Sequence, residues 1–172
     1  MKQIFWLTGL PCSGKTTIAK ELAKKINAEI LDGDDLRANM KNSDFSEEGR
    51  KKHMLNIAWI ASLLSKHTNV IVSLVSPIKS VREEIMDKYP NTTMLYCYAS
   101  LEECEKRDVK GMYKLARAGK ITNFTGIDAE YEVGNYKRGE SHRHYYMDTE
   151  LWTVEECVAF IVEKFAIKEG VL

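Results

Sequence analysis

The chain has 172 residues, of which 44% are hydrophobic and 29% charged. This composition is typical of a globular protein, and the length predicts one domain over residues 1–172. Twenty-five basic residues balance 25 acidic ones, which excludes a global field that would attract nucleic acid or an anionic membrane.

The first predicted strand, residues 3–8, leads into a glycine-rich loop, and a helix is predicted at 17–25. The loop has the spacing G-x-x-x-x-G-K-T and consists of Gly9, Leu10, Pro11, Cys12, Ser13, Gly14, Lys15 and Thr16. Backbone N–H groups of such a loop wrap a polyphosphate at a helix N-terminus. The lysine reaches the β- and γ-phosphates and the threonine hydroxyl binds Mg²⁺. The alternative, a glycine loop without a ligand, is disfavoured by these fixed positions and flanks. We predict a nucleoside triphosphate site that extends to Thr17.

The second predicted strand, residues 28–31, ends in the carboxylate cluster Asp32-Gly33-Asp34-Asp35. Parallel sheets place their ligand crevice at the carboxyl ends of strands, so Asp32 and Asp34 should face the triphosphate site. Carboxylates there can hold Mg²⁺ through water or take a proton from an acceptor hydroxyl. The alternative is an Asx turn that caps a helix beginning at Asp35.

The remaining elements alternate in the same way. Strands are predicted at 70–75 and 93–98, and helices at 47–66, 81–88, 101–107 and 153–165. This order predicts an α/β fold of the P-loop kinase type, a parallel sheet with helices on both faces. The polar stretch 108–146 fits no element and is predicted to be a lid.

Basic residues gather where this lid begins. Residues 106–125 hold six basic side chains against the single acid Asp108, a local charge of +5 in a neutral chain. Cations on a lid beside a triphosphate would neutralise charge on the transferred phosphoryl group. A solvated helix face and a nucleic-acid patch are the alternatives, the second weaker because the bases cover one segment only. We find no N-K-x-D guanine motif, which disfavours a GTPase.

The cysteines and the amino terminus predict a cytoplasmic protein that binds no membrane. The four cysteines lie far apart without C-x-x-C spacing, which favours reduced thiols over a metal site or disulfides. Residues 1–3 lack the apolar stretch of a signal peptide, and no run approaches membrane-spanning length. A metal site at His142 and His144 lacks a third ligand, so solvated loop histidines are predicted there.

Several longer motifs show a family resemblance. They are the glycine loop, Leu31-Asp32-Gly33-Asp34 with Arg37, Phe45-Ser46-Glu47-Glu48 with Arg50, Ser73, Ser76-Pro77 with Arg82, residues 104–114, Ala116-Arg117-Ala118-Gly119 and residues 124–128. Over nearly its whole length the chain resembles adenylyl sulfate kinases. The resemblance implies transfer of the ATP γ-phosphoryl to the ribose 3′-hydroxyl of a nucleotide with a 5′-phosphoanhydride, in a homodimer.

The resemblance also implies roles for single residues. Asp34 would activate the 3′-hydroxyl, with Lys110 beside the transferring phosphoryl and Arg107 where the lid meets the ATP base. The acceptor would be gripped by Arg37 and Arg50, its base stacked between Phe45 and Phe124. Core packing is the alternative for the two phenylalanines. Ser76 matches a phosphoserine position of the family, although direct in-line transfer needs no such intermediate, and a structural or substrate-contacting role is favoured.

The acceptor pocket departs from the family pattern. The family usually has the motif Arg-x-x-Asn-Ile-Arg-Arg in this region. In this chain His53 stands in place of the asparagine, and Leu55 and Asn56 stand in place of the last two arginines. Ile78, Lys79 and Val81 replace further family residues. Such changes at a base edge can shift specificity by orders of magnitude. We therefore slightly favour cytidine diphosphoramidate, a precursor of capsule phosphoramidate, as the acceptor. Adenylyl sulfate in sulfate assimilation is the alternative, and a catalytically silent ATP-binding regulatory module is an alternative of another class.

Overall fold

The computed structural model describes residues 1–134 and 143–165 of the chain. Its strands are β1 (Ile4–Thr8), β2 (Ala28–Asp32), β3 (Asn69–Ser73), β4 (Thr92–Tyr98) and β5 (His144–Asp148). Its helices are α1 (Lys15–Ile26), α2 (Gly33–Asn39), α3 (Glu47–Leu64), α4 (Lys79–Lys88), α5 (Leu101–Arg107), α6 (Met112–Arg117) and α7 (Val154–Lys164). The four predicted strands and five predicted helices are confirmed, with ends that shift by a few residues.

The strands form one parallel sheet in the order β2-β3-β1-β4-β5. β1 lies at its centre, where Ile4 pairs with Val70 of β3 on one side and with Thr92 of β4 on the other. Because every strand runs in the same direction, the carboxyl ends of β1, β2 and β3 meet at one edge of the sheet. This edge is where the site lies.

Alternate residues of β1 belong to two separate cores. Ile4 and Trp6 pack beneath α3 and α4, whereas Phe5 and Leu7 pack beneath α1 and α7. All four are at most 1% exposed, and full burial of one such side chain contributes about 1.5–3 kcal/mol. The prediction of helices on both faces of the sheet is thus confirmed.

The predicted lid, residues 108–146, is in part regular structure. It contains the short helix α6, and its last residues form the beginning of β5. Residues 135–142, and with them His142, lie outside the described part of the chain. The expectation of a solvated loop histidine is wrong for His144, which is a half-buried residue of β5. Burial, followed by the nearby Arg82 and Arg143, lowers the pKa of its imidazole.

The helix after β2 begins earlier than predicted. α2 starts at Gly33 instead of Asp35, because Asp32 is its N-cap and accepts from the backbone N–H groups of Asp34 and Asp35. A carboxylate at this position satisfies otherwise unpaired N–H groups and favours the helix dipole. The capping alternative for Asp32 is therefore correct.

Among residues 1–134 and 143–165, no helix combines the length and apolar character needed to cross a bilayer.

Candidate active site

The glycine loop, residues 9–16, connects the centre of the sheet to α1. Gly9 has φ of 146°, and a Cβ there would lie 2.3 Å from the Cys97 carbonyl oxygen. Gly14 forms the N-cap of α1 with φ of 90°. Both positions require glycine because a side chain would strain the backbone or collide with β4. The first turn of α1 carries Thr16 and Thr17, both exposed, at the end of the helix that favours anions.

Lys15 folds back over its own loop. Its ammonium donates to the carbonyl oxygens of Gly9 at 3.0 Å and Leu10 at 2.6 Å, and to the Ser13 hydroxyl at 3.4 Å. The residue is 7% exposed, and burial lowers the pKa of the ammonium. A buried cation held by neutral oxygens is well placed to exchange them for phosphate oxygens.

Oxygen donors gather where α1 begins. Thr16 Oγ1 donates to Asp32 Oδ2 at 3.0 Å and lies 3.1 Å from the hydroxyl of Ser73, the last residue of β3. Carboxylate and hydroxyl oxygens are the ligands that Mg²⁺ takes, together with substrate phosphates and water. The residues thus fit the predicted Mg²⁺ site. The part of the chain that the structure describes contains no cluster of three histidine, cysteine or acidic side chains, so phosphates and water would complete the coordination.

Asp34 meets the lid at this edge. Its Oδ2 accepts from Lys110 Nζ at 2.6 Å, although the two residues are 76 positions apart. Their side chains are 75% and 66% exposed, respectively. The hydrogen bond to Asp34 raises the pKa of the Lys110 ammonium. The structure thus brings together the carboxylate and the lid cation that were predicted to act on the same phosphoryl group.

The two predicted acceptor arginines surround Phe45. The Arg37 guanidinium lies 4.4 Å from the centre of the ring and that of Arg50 lies 5.9 Å from it. Arg37 donates to the Asp44 carbonyl oxygen at 2.9 Å and Arg50 to that of Phe45 at 2.9 Å. Phe45 itself is 46% exposed. Core packing is therefore ruled out for this phenylalanine, whose partly exposed ring lies beside two cations.

Phe124 is less exposed than Phe45. Its ring packs edge-on against Tyr113 with centroids 4.9 Å apart, and Tyr113 donates to the Pro11 carbonyl oxygen at 3.0 Å. Phe124 and the half-buried Cys12 belong to the same small apolar cluster. The core-packing alternative thus holds for one edge of Phe124, which links the lid to the glycine loop.

Arg107 is linked to the glycine loop by one intermediate residue, Thr149. It donates to Glu103 at 2.9 Å and to the hydroxyl and carbonyl oxygens of Thr149 at 3.2 and 2.8 Å. The Thr149 hydroxyl contacts the Ser13 carbonyl oxygen at 3.1 Å and that of Tyr98 at 2.9 Å. Thr149 belongs to no motif, and nothing in the sequence indicates its position.

Ser76 lies inside the protein. It is 1% exposed with φ of 49°, and its hydroxyl accepts from Trp6 Nε1 at 2.8 Å. The Ser76 carbonyl oxygen accepts from the buried Arg82 at 2.6 Å. These contacts support the structural role and speak against a catalytic hydroxyl at this position, since a buried oxygen committed to Trp6 cannot receive a phosphoryl group.

His53 lies in the interior of α3. It is 1% exposed, and neither ring nitrogen has a hydrogen-bond partner among the described residues. Burial, and then the charge of Arg37, lowers the pKa of the ring, while the nearby Gly33 backbone opposes the shift. The buried ring thus lies close enough to Arg37, on the acceptor side of the site, to be affected by its charge.

Tyr131 is a second residue that the sequence does not indicate. It is 8% exposed, its hydroxyl lies 2.8 Å from that of Thr8, and its ring stacks on Tyr96 at 5.6 Å. Thr8 immediately precedes the glycine loop, so the end of the described lid is attached to the strand that carries the phosphate-binding loop.

Fold and site together define a P-loop phosphotransferase with a basic lid. The profile of the adenylylsulphate kinase family matches residues 1–137. The chain is 42% identical over 166 residues to the adenylyl-sulfate kinase of Microcystis aeruginosa, covering 92% of this chain and 88% of that one. The Gloeothece citriformis adenylyl-sulfate kinase is 45% identical over 134 residues, covering 74% and 76%. The chain belongs to the adenylylsulphate kinase family.

A solved structure agrees with this assignment. The Mycobacterium tuberculosis APS kinase, in complex with AMPPNP and APS, has a TM-score of 0.86 and 27% identity, covering 96% of this chain and 98% of that one. Membership confirms two predictions, an ATP-dependent phosphotransferase and the use of ATP with Mg²⁺.

Proposed function

We propose that this protein transfers the γ-phosphoryl group of ATP to the ribose 3′-hydroxyl of adenylyl sulfate. The observation that carries the proposal is the 2.6 Å contact between Asp34 and Lys110 at the mouth of the glycine loop. The contact joins an exposed carboxylate to a cation, and the charge of Asp34 also acts on Lys15, which supports a shared role where an acceptor hydroxyl would meet a triphosphate. The names of the relatives supply the acceptor.

In this mechanism Asp34 takes the proton of the 3′-hydroxyl as its oxygen attacks the γ-phosphorus. The new O–P bond forms while the bond to the bridging oxygen of ADP breaks. Lys15 leaves its loop carbonyls for the β- and γ-phosphates, and Lys110 leaves Asp34 for the transferring group. Thr16 and Asp32 would hold Mg²⁺, which would supply positive charge to neutralise the phosphates.

The acceptor is bound by a second group of residues. Phe45 and Phe124 offer ring faces for the base, worth about 1–3 kcal/mol per stacked base. Arg37 and Arg50 supply positive charge beside Phe45 for the 5′ group. Arg107 would contact the ATP base at the far side of the glycine loop, through the same surface that holds Thr149.

Cytidine diphosphoramidate, slightly favoured by the sequence, becomes the second candidate. The relatives are named for adenylyl sulfate, which reverses the order of preference. One observation keeps it in view: His53, where the family usually has asparagine, is buried with both ring nitrogens unpaired. Unpaired polar atoms in an interior are costly unless a ligand or water satisfies them. The silent regulatory module is disfavoured, because Lys15, Asp34 and Lys110 are all present and Asp34 contacts Lys110.

The test is a panel of acceptors. Each of adenylyl sulfate, cytidine diphosphoramidate, AMP and CDP is incubated with ATP and Mg²⁺, ADP formation is followed, and phosphorus NMR locates the new phosphate. We expect a higher kcat/KM for adenylyl sulfate, with product carrying a 3′-phosphate. A preference for the cytidine compound would establish the second candidate, and His53→Asn should then reduce that preference about tenfold or more. No acceptor-dependent ADP would overturn both.

The proposed function also carries an expected oligomeric state and cellular compartment. We propose a homodimer of one-domain subunits over residues 1–172 that works in the cytoplasm. Cys97, Cys104 and Cys157 are buried and unpaired, which suits a reducing compartment.

A further inference from the structure

One guanidinium group joins the two aromatic segments of the acceptor side. Arg50 of α3 donates from Nε to the Phe45 carbonyl oxygen at 2.9 Å. It also donates from Nη1 to the Thr125 hydroxyl at 2.6 Å and from Nη2 to the Asn123 carbonyl oxygen. Phe45 lies just before α3 and five residues from Arg50, whereas Thr125 is 75 residues away. Arg50 thus holds Phe45, just before α3, and the lid segment at the same time.

The lid segment at the other end, residues 123–129, is a compact unit. The Asp128 carboxylate accepts from the backbone N–H groups of Asn123 at 2.8 Å and Phe124 at 2.6 Å. The Phe124 carbonyl oxygen accepts from Ile127, and Thr125 forms a bridge with Ala129. A force on Thr125 therefore moves Phe124 with it.

Arg50 contacts this unit at one side chain, the hydroxyl of Thr125, and at one backbone oxygen, that of Asn123. Thr125 is 3% exposed, so its hydroxyl is shielded from water and points to the guanidinium. A hydrogen bond to a charged group contributes more than a neutral one, especially when it is sheltered.

We propose that Thr125 is a positioning residue, and that Arg50 with Thr125 forms a latch that sets the separation of Phe45 and Phe124. Acceptor affinity then depends on a threonine that touches no substrate. The inference rests on the proposed function for the identity of the acceptor, but the latch itself is a property of the protein alone.

Direct binding of the acceptor's 5′ group by Arg50 predicts something different. If the guanidinium binds this anion, its loss should weaken the binding of adenylyl sulfate but not that of adenosine, which lacks the anion. A latch should matter equally for both, because it acts on the stacking of the base. In addition, Arg50→Gln and Thr125→Val should be strongly non-additive, since either one opens the same latch.

The main variant is Thr125→Val, which keeps the buried shape and removes the hydroxyl. Thr125→Ser retains the hydroxyl, and Thr122→Val makes the same change at an exposed position of the same stretch. In the protein without nucleotide, we expect amide hydrogen exchange over residues 123–129 to quicken about threefold or more in Thr125→Val only. With ATP and Mg²⁺, we expect its KM for adenylyl sulfate to rise about tenfold, with kcat and the KM for ATP unchanged.

The outcomes separate the two proposals. Faster exchange together with a raised acceptor KM in Thr125→Val, and equal loss of adenylyl sulfate and adenosine binding in that variant, support the latch. Unchanged exchange in Thr125→Val overturns it, and so does faster exchange with an unchanged acceptor KM. If the unmodified protein does not phosphorylate adenylyl sulfate, the proposed function fails, while hydrogen exchange still supports or overturns the latch.

Discussion

Lys110 Nζ lies 2.6 Å from Asp34 Oδ2, a contact between the lid and the first residues of α2 that joins parts of the chain 76 positions apart. Both side chains are more than half exposed, so water screens their attraction. The pair therefore contributes little to folding and costs little to separate. In the proposed mechanism the pair supplies a base and a cation where the acceptor and the phosphoryl group would meet.

Asp34→Asn should leave the fold and ATP binding intact while kcat falls about a hundredfold or more. The change removes charge and basicity but keeps the shape of the side chain. Asp35→Asn, one position further along α2 and also exposed, is the matched control. Steady-state kinetics and calorimetric titration with ATP check both. A change in KM alone would make Asp34 a binding residue, with Asp32 the next candidate for the base.

Lys15→Met should lower kcat about a hundredfold or more, because a sheltered contact to the transferring phosphate is lost. It should also raise the melting temperature of the protein without nucleotide. Burial holds the pKa of Lys15 below its ordinary value, which shows that the folded protein disfavours this charge. Because the pKa of Lys15 is lower in the folded protein, the unfolded chain binds this proton more tightly. The protonated lysine therefore destabilises the fold at neutral pH. Lys20→Met, at an exposed position of α1, should change neither quantity.

Phe45→Ala and Phe124→Ala should differ in stability although both weaken the acceptor. Loss of one stacking face should raise the acceptor KM about tenfold to a hundredfold in each. Phe45 is 46% exposed, so its loss should leave the melting temperature nearly unchanged. Phe124 also packs on Tyr113, and its loss should lower the melting temperature by several degrees. Equal destabilisation by both variants would contradict the packing described for Phe45.

His53 should make the free energy of unfolding decrease as the pH falls below the ordinary pKa of histidine, 6.5. Burial lowers its pKa in the folded protein below the ordinary value of 6.5. As the pH falls through 6.5, the unfolded chain takes up the proton before the folded protein does. The free energy of unfolding therefore decreases towards acid pH. Urea unfolding of the unmodified protein, His53→Asn and the exposed control His67→Gln checks this. The slope should be shallower in His53→Asn alone, and an unchanged slope there would contradict the burial of a neutral imidazole.

Iodoacetamide should modify Cys12 well before the other thiols. Cys12 is half-buried in the glycine loop, whereas burial raises the pKa of the Cys97 thiol to about 12 and that of Cys104 to about 11. Thiolates are the reactive form, so the buried thiols should stay inert. We expect loss of ATP binding to accompany the first equivalent of label, with ATP present giving protection. Cys12→Ser should abolish the effect, and labelling elsewhere at the same rate would disprove it.

The phosphate side of the site is predictable from sequence because its chemistry is local. A glycine loop between a strand and a helix places Lys15 and Thr16 without reference to distant residues, and the strand-end rule places Asp32 and Asp34. The lid is different. β5 escapes notice because it is only five residues long and has polar residues, His144 and Asp148, at its two ends, so its apolar run is short.

Residues that act by packing are also invisible in the sequence. Thr149 and Tyr131 are ordinary residue types whose partners, Arg107 and Thr8, lie 42 and 123 positions away. Ser76 is a different case, because the sequence leaves two roles open for it and favours the structural one. Its motif indicates chemistry, whereas its hydroxyl holds the indole of Trp6 in the core. Only the tertiary structure separates these roles.

The division of the site between the centre and the margin of the sheet has an evolutionary consequence. β1, which leads into the glycine loop, has a strand on each side and a core on each face, so almost any substitution there damages the whole molecule. Phe45 and Arg37 stand on short, exposed segments beyond the edge strand β2, where mutations are tolerated. Lineages built on this scaffold can therefore exchange the molecule that receives the phosphate while the donor stays the same.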